Sequence, residues 1–215
     1  MKPFRILFFP LIFSLFLSSC HFTRELQPSV TASSPERFSP LGAIGSTLLF
    51  KARFKAYGHH ISGLFLLKPM PEDTAIRVLL LSELGLNLLD MEFRHDRFRV
   101  VSVDEFLDRK LLLKTLQDDF RTLLLDLRGI DDYRVMKDEK ENTEILQFKQ
   151  GGEKYSYHYR KGSGTCKIER RPGPFHRVEM MLTGNGNRVI TVRHRGIRLS
   201  MDLQQLDKLE ENGER

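Results

Sequence analysis

The chain has 215 residues, 40% hydrophobic and 29% charged, with 16 phenylalanines, no tryptophan and a formal charge of +6. That apolar content excludes a disordered or collagen-like chain, and the length suits one hydrophobic core rather than several domains. Lys and Arg are not gathered in blocks at the density of a nucleic-acid binder, so no nucleic-acid partner is expected.

Residues 1–19 read as an export signal. Lys2 and Arg5 lead into an apolar run, 6–17, interrupted only by Pro10 and Ser14. This run is shorter than the about 18 apolar residues a membrane-spanning helix needs. It ends Leu17-Ser18-Ser19-Cys20, which resembles the lipobox of bacterial lipoproteins. The resemblance implies cleavage before Cys20, lipidation of that cysteine and stable attachment through several acyl chains. An ordinary secretory signal with a chance cysteine at its end is the competing reading. Loss of residues 1–19 removes Lys2 and Arg5 and lowers the formal charge from +6 to +4. His21, not Asp, follows the cysteine, which under a sorting rule like that of enteric bacteria points to the outer membrane. With Cys20 acylated, Cys166 has no disulfide partner and reads as a small core residue.

Residues 20–46 carry Pro28, Pro35 and Pro40 among Ser, Thr and Gly and show no apolar period, as in a flexible tether. The folded domain is expected over 47–203. Its first strand, 48–56, alternates Leu48, Phe50, Ala52, Phe54 and Ala56 with Lys51, Arg53 and Lys55, as a half-buried antiparallel strand requires. Strands over 60–68, 75–82, 86–93 and 98–103 extend it into a meander joined by short polar turns.

The period then changes. Ser102-Val103-Asp104-Glu105 has the form of a capping box, and Leu112, Leu113, Leu116, Phe120, Leu123, Leu124 and Leu127 recur at helical spacing up to Gly129. This predicts an amphipathic helix of about five or six turns lying over the concave side of the sheet. Strands resume over 133–136, 144–150, 154–160, 166–170, 177–182, 188–194 and 197–203, with glycine-rich hairpin turns such as Gly151-Gly152 and Gly162-Ser163-Gly164. The expected fold is mainly β: an unclosed antiparallel barrel of about eleven or twelve strands with one main helix, since open sheets rarely exceed about ten strands without curling. Residues 204–215 read as a charged tail.

Strand parity places Phe50, Phe54, Val78, Leu80, Met91, Phe93, Phe98, Leu146, Phe148 and Met180 on the inner face. Helical parity adds Leu112, Leu116 and Phe120 from the covering helix. These are the candidate lining of a cavity for a greasy ligand. Apolar alternation is the same in a filled barrel and a hollow one, and composition favours the filled one.

The run Ile76-Arg77-Val78-Leu79-Leu80-Leu81-Ser82-Glu83-Leu84-Gly85, the following Leu89-Asp90-Met91-Glu92, and the order of lipobox, tether, meander, helix and hairpins resemble the LolB-like outer-membrane lipoproteins, of the lipoprotein-localisation fold shared with LolA. The resemblance implies a half-barrel that shelters acyl chains of lipoproteins or lipids and delivers them to the outer membrane. It further implies lipid anchoring on the periplasmic face and a periplasmic carrier protein as donor. Leu84, followed by Gly85, matches the leucine that contacts the membrane in that family. Glu83 stands where the family pattern has proline, and tryptophan, frequent in the family, is absent. Read as residues alone, Leu84 either projects from its turn or packs on Leu86 or Leu88.

No constellation of residues points to an enzyme. His59-His60 sits at a strand start, where neighbouring side chains diverge. His158, His176 and His194 recur without acidic or Cys ligands at metal-site spacing, so no metal or other cofactor is expected. Gly162-Ser163-Gly164 is a turn, and Asp118-Asp119 reads as a solvated helix face. A non-enzymatic envelope-assembly lipoprotein, working through protein partners on its basic strand faces, is the alternative function.

Overall fold

The structure is a computed structural model, and it describes residues 27–28, 34–70, 75–94, 97–130, 132–184 and 187–206. The expected signal, Cys20, tether residues 21–26 and 29–33 and the tail beyond residue 206 lie outside the described residues. The elements are β1 (Gln27–Pro28), β2 (Leu48–Ala56), β3 (His59–Met70), β4 (Ala75–Ser82), β5 (Asn87–Phe93), β6 (Phe98–Val103), α1 (Lys110–Leu124), β7 (Tyr133–Asp138), β8 (Thr143–Gln150), β9 (Glu153–Arg160), β10 (Thr165–Arg171), β11 (Arg177–Thr183), β12 (Val189–Arg195) and β13 (Leu199–Gln205).

All strands belong to one antiparallel sheet in the order β1-β7-β8-β9-β10-β11-β12-β13-β2-β3-β4-β5-β6. Twelve of them, β2 to β13, have six residues or more, and β1 adds a two-residue bridge to β7. Among the described residues β6 pairs only with β5, so the curled sheet stays open along that edge. The chain crosses from β6 to β7 through α1, which lets β7 start the far half of the sheet. The closing register, Leu199↔Ala56 to Gln205↔Phe50, then joins the last strand to the first long one.

Period-two patterning is realised side chain by side chain. In β2, Phe50, Ala52, Phe54 and Ala56 are buried while Lys51, Arg53 and Lys55 are exposed. At Gly63 the backbones of β3 and β4 approach so closely that a Cβ would lie 1.9 Å from the Leu81 carbonyl oxygen. Only glycine fits that crossing.

Four expectations are corrected. The helix begins at Lys110, not at the capping box: Ser102 and Val103 end β6, and Asp104 instead organises a separate turn, its carboxylate accepting from the Phe106 amide at 3.3 Å. The extended Arg109 opens α1 without a side-chain cap. The helix also stops five residues before Gly129. Leu125 takes a left-handed φ of 52°, its amide donates to the Thr122 carbonyl, and the Asp126 amide donates to Arg121. These two bonds form a Schellman ending with leucine in the glycine position, held there by burial of Leu125. Finally, the segment read as tether is partly packed: a single 3-10 turn at Pro35–Phe38 buries Phe38, and Leu41 follows it into the core. At the other end, Gln204 and Gln205 belong to β13 rather than to a tail.

The core is one cluster between the concave face and α1. Leu112, Leu116, Phe120 and Leu123 project from α1 into it, and each such buried side chain contributes about 1.5–3 kcal/mol.

Candidate functional site

The inner-face residues come together as parity predicts. Phe50, Phe54, Val78, Leu80, Met91, Phe93, Leu146, Phe148 and Met180 from the sheet, with Leu112, Leu116 and Phe120 from α1, are buried in the common cluster. Phe98, on the edge strand β6, is only partly covered and packs on Phe93 with ring centroids 5.1 Å apart. Phe120 fills the concavity: its ring stacks on Phe65 at 5.1 Å and meets Phe93 edge-on at 6.2 Å. On the other flank Phe148 stacks on Tyr157 at 5.8 Å. Of the two readings the residue pattern allows, these side chains take the filled one. An acyl chain reaches them only if α1 yields.

Beside this apolar contact lies an ionic one. Asp119 is 1% exposed, which overturns its reading as part of a solvated helix face. Its carboxylate accepts from Arg170 Nη2 at 2.9 Å and lies 3.0 Å from His194 Nε2, while His194 Nδ1 is 3.1 Å from the Leu199 carbonyl oxygen. Arg170 also faces Asp118 at 3.5 Å and Glu153 at 3.6 Å. The carboxylates surrounding the Arg170 guanidinium raise its pKa despite burial, which works the other way. The equal spacing of His158, His176 and His194 has no structural counterpart: His158 bonds Ser156, exposed His176 abuts Gly196, and His194 turns inward.

A polar pocket of about 250 Å³ opens where α1 meets the β8–β9 turn, lined by Lys114, Asp118, Arg121, Gln150, Glu153 and Tyr155 among others. Burial and the adjacent Glu153 carboxylate push the Tyr155 phenol up to about 12. Tyr157, wholly buried below it, donates to the Thr122 carbonyl at 2.8 Å and ties the last turn of α1 to β9. Three sequence signals for this cluster existed. Arg170 shares inward parity with Cys166 and Ile168, and His194 with Ile190 and Val192. The third is helical: Asp119 lies three residues after Leu116 and four before Leu123, within the buried stripe of α1.

Leu84 sits at the tip of the β4–β5 turn and is 89% exposed, and Leu86 is 63% exposed. The turn is closed by bonds from the Gly85 amide to the Ser82 carbonyl at 2.9 Å, from the Ser82 amide to the Leu86 carbonyl at 2.8 Å, and from the Leu86 amide to Ser82 Oγ at 3.1 Å. Gly85 supplies a φ of 79°, a region where L side chains are strained. Leu84 therefore projects and does not pack on Leu88. Among the described residues no helix is long and apolar enough to cross a membrane. No family model matches the chain, and no match was found among the curated proteins or the solved structures.

Proposed function

We propose that this chain is a membrane-anchored lipoprotein that takes up acyl chains of lipoproteins or lipids under α1 and passes them to the outer membrane. The observation that carries the reading is the bare leucine at the tip of a turn whose shape is fixed by Gly85 and Ser82. A leucine held 89% in water gains nothing for the fold, whereas its transfer into hydrocarbon is favourable by about 1.5–3 kcal/mol. Anchoring through an acylated Cys20 on the periplasmic face would keep the domain within reach of the bilayer. A periplasmic carrier protein is the donor this reading requires, and no covalent chemistry is needed.

Uptake proceeds by exchange. Cargo carbons replace the contacts that Leu112, Leu116 and Phe120 make with the sheet, each CH₂ contributing about 0.8 kcal/mol on leaving water. Insertion of Leu84 places the opening beside the membrane, so the cargo leaves one apolar phase for another.

The test is transfer of an acylated lipoprotein from its carrier to vesicles. Leu84→Glu is expected to abolish transfer while leaving the folded domain intact, and unchanged transfer would sink the assignment. The filled inner face favours a second reading, an envelope-assembly protein that acts through protein partners. Native mass spectrometry separates the two. Stoichiometric bound lipid supports the carrier, and a bare protein that also takes up no fluorescent fatty acid supports assembly.

A further inference from the structure

A second surface lies at the same end of the sheet as Leu84. The registers bring the C-terminal ends of β2, β4, β8, β10 and β12 to one rim, where Ala56 faces Leu199, Arg195 faces Arg177, and Arg171 faces Lys154. On the convex side of this rim the cations stand opposite one another across the strands. Lys149 is directly opposite Lys154, Lys154 opposite Arg171, and Arg177 opposite Arg195, with Arg198 exposed in the next turn.

Like charges placed directly across a ladder are destabilising, so this row is not explained by the fold. Arg177 is neutralised by Glu169 at 2.8 Å and Glu179 at 3.0 Å, and Arg171 touches Glu169 at 3.4 Å. Lys149, Lys154, Arg195 and Arg198 have no carboxylate partner among the described residues. The β10–β11 turn, Pro172-Gly173-Pro174-Phe175-His176, rises from the middle of the row. Its Phe175 is 87% exposed, and two prolines restrict the backbone that holds it out.

We propose that this rim is a membrane-docking surface selective for anionic headgroups, with Phe175 as its inserting side chain. The inference deepens the membrane contact proposed for Leu84 and rests on that reading for the choice of a bilayer as partner. Charge complementarity supplies the specificity: each Lys or Arg held near an anionic surface strengthens partition roughly fivefold. The aromatic tip distinguishes a bilayer from a purely electrostatic partner, because it has an apolar phase to enter.

The absence of tryptophan makes the test direct. Phe175→Trp and, separately, Leu84→Trp each give the full chain a single indole, read by emission wavelength and by quenching with brominated lipids. On vesicles of phosphatidylcholine with phosphatidylglycerol, the indole at 175 is expected to shift to the blue and to be quenched. On phosphatidylcholine alone it keeps its aqueous emission. Adding Lys154→Glu and Arg171→Glu, or high salt, is expected to abolish the shift. An indole at 175 that stays aqueous on both vesicles overturns the proposal and assigns the row to an acidic protein. Equal shifts on both vesicles, or a shift that survives the charge reversals, overturn its anionic selectivity. Lipid contact at 84 without contact at 175 defeats this inference alone, and the reverse result defeats the Leu84 assignment alone.

Discussion

At Phe120, α1 meets β3 and β5 through rings packed 5.1 and 6.2 Å from Phe65 and Phe93, whereas one residue earlier Asp119 meets β10 and β12 through Arg170 and His194. Both residues are 1% exposed. The two flanks nevertheless respond oppositely to water. Parting the aromatic flank exposes apolar area at about 25 cal/mol per Å² with no compensation. Parting the ionic flank returns charges to water, which recovers hydration they lost on burial. On the proposed function, a helix that lifts for cargo would open on the side of Asp119, next to the polar pocket, and pivot on Phe120.

The largest effects should come from truncating each flank in turn. Asp119→Ala leaves Arg170 and His194 buried without their carboxylate and is expected to cost about 3–5 kcal/mol. Phe120→Ala empties the centre of the core at a similar cost of about 3–5 kcal/mol. Urea unfolding followed by circular dichroism measures both. What separates the flanks is repair. Combining Asp119→Leu with Arg170→Met and His194→Leu should restore stability to the wild-type level or above it, because well-packed apolar groups replace a buried ionic set at no net loss. A triple variant as weak as Asp119→Ala would mean that the ionic flank stabilises the fold in its own right.

Local spacing marks the inward residues of both flanks, but the pairing that makes the ionic flank was not legible in the sequence, for a physical reason. Phe54 declares its face by alternation with Arg53 and Lys55, and Leu112, Leu116 and Phe120 declare theirs by helical spacing, so each is readable within a few residues. Asp119 is joined to Arg170 across 51 residues and to His194 across 75, and only the packing of α1 on the curled sheet brings them together. Its neighbour Asp118, 21% exposed and paired with Lys114 at 3.0 Å, does lie on a solvated face. The helix limits failed for local reasons of the same kind. Ser102 went to β6 because pairing with Asp90 outcompeted a helix cap, and Leu125 accepted a left-handed φ because its side chain is buried.

A smaller effect sharpens the comparison where the flanks meet. Tyr157→Phe keeps the ring against Phe148 and removes only the bond to the Thr122 carbonyl at 2.8 Å. The expected loss is about 1 kcal/mol. Hydrogen exchange should report it as faster opening of the last turn of α1, with the amides of β3 and β4 unchanged. Uniform loosening of the whole sheet would mean that the bond secures the fold and not the helix end.

The smallest effect lies on the convex face, in the carboxylate that partly neutralises the basic rim. Burial works against the charged form of Glu169, but Lys167 at 2.9 Å and Arg177 at 2.8 Å outweigh it and hold the carboxyl down to about 2. Because its folded value lies below its unfolded one, Glu169 stabilises the fold fully above the ordinary carboxylate range and loses that contribution as pH falls toward about 2. Glu169→Gln should therefore lower the urea midpoint at neutral pH and flatten its decline through that acidic window. If the decline is unchanged, the carboxyl titrates normally and Arg177 is not neutralised by it. The same variant also removes a negative charge from the row beside Phe175, so it should strengthen docking to anionic vesicles at neutral pH even as it weakens the fold. Stability and docking moving in opposite directions would mark Glu169 as a structural anchor set inside a surface whose remaining charges serve binding.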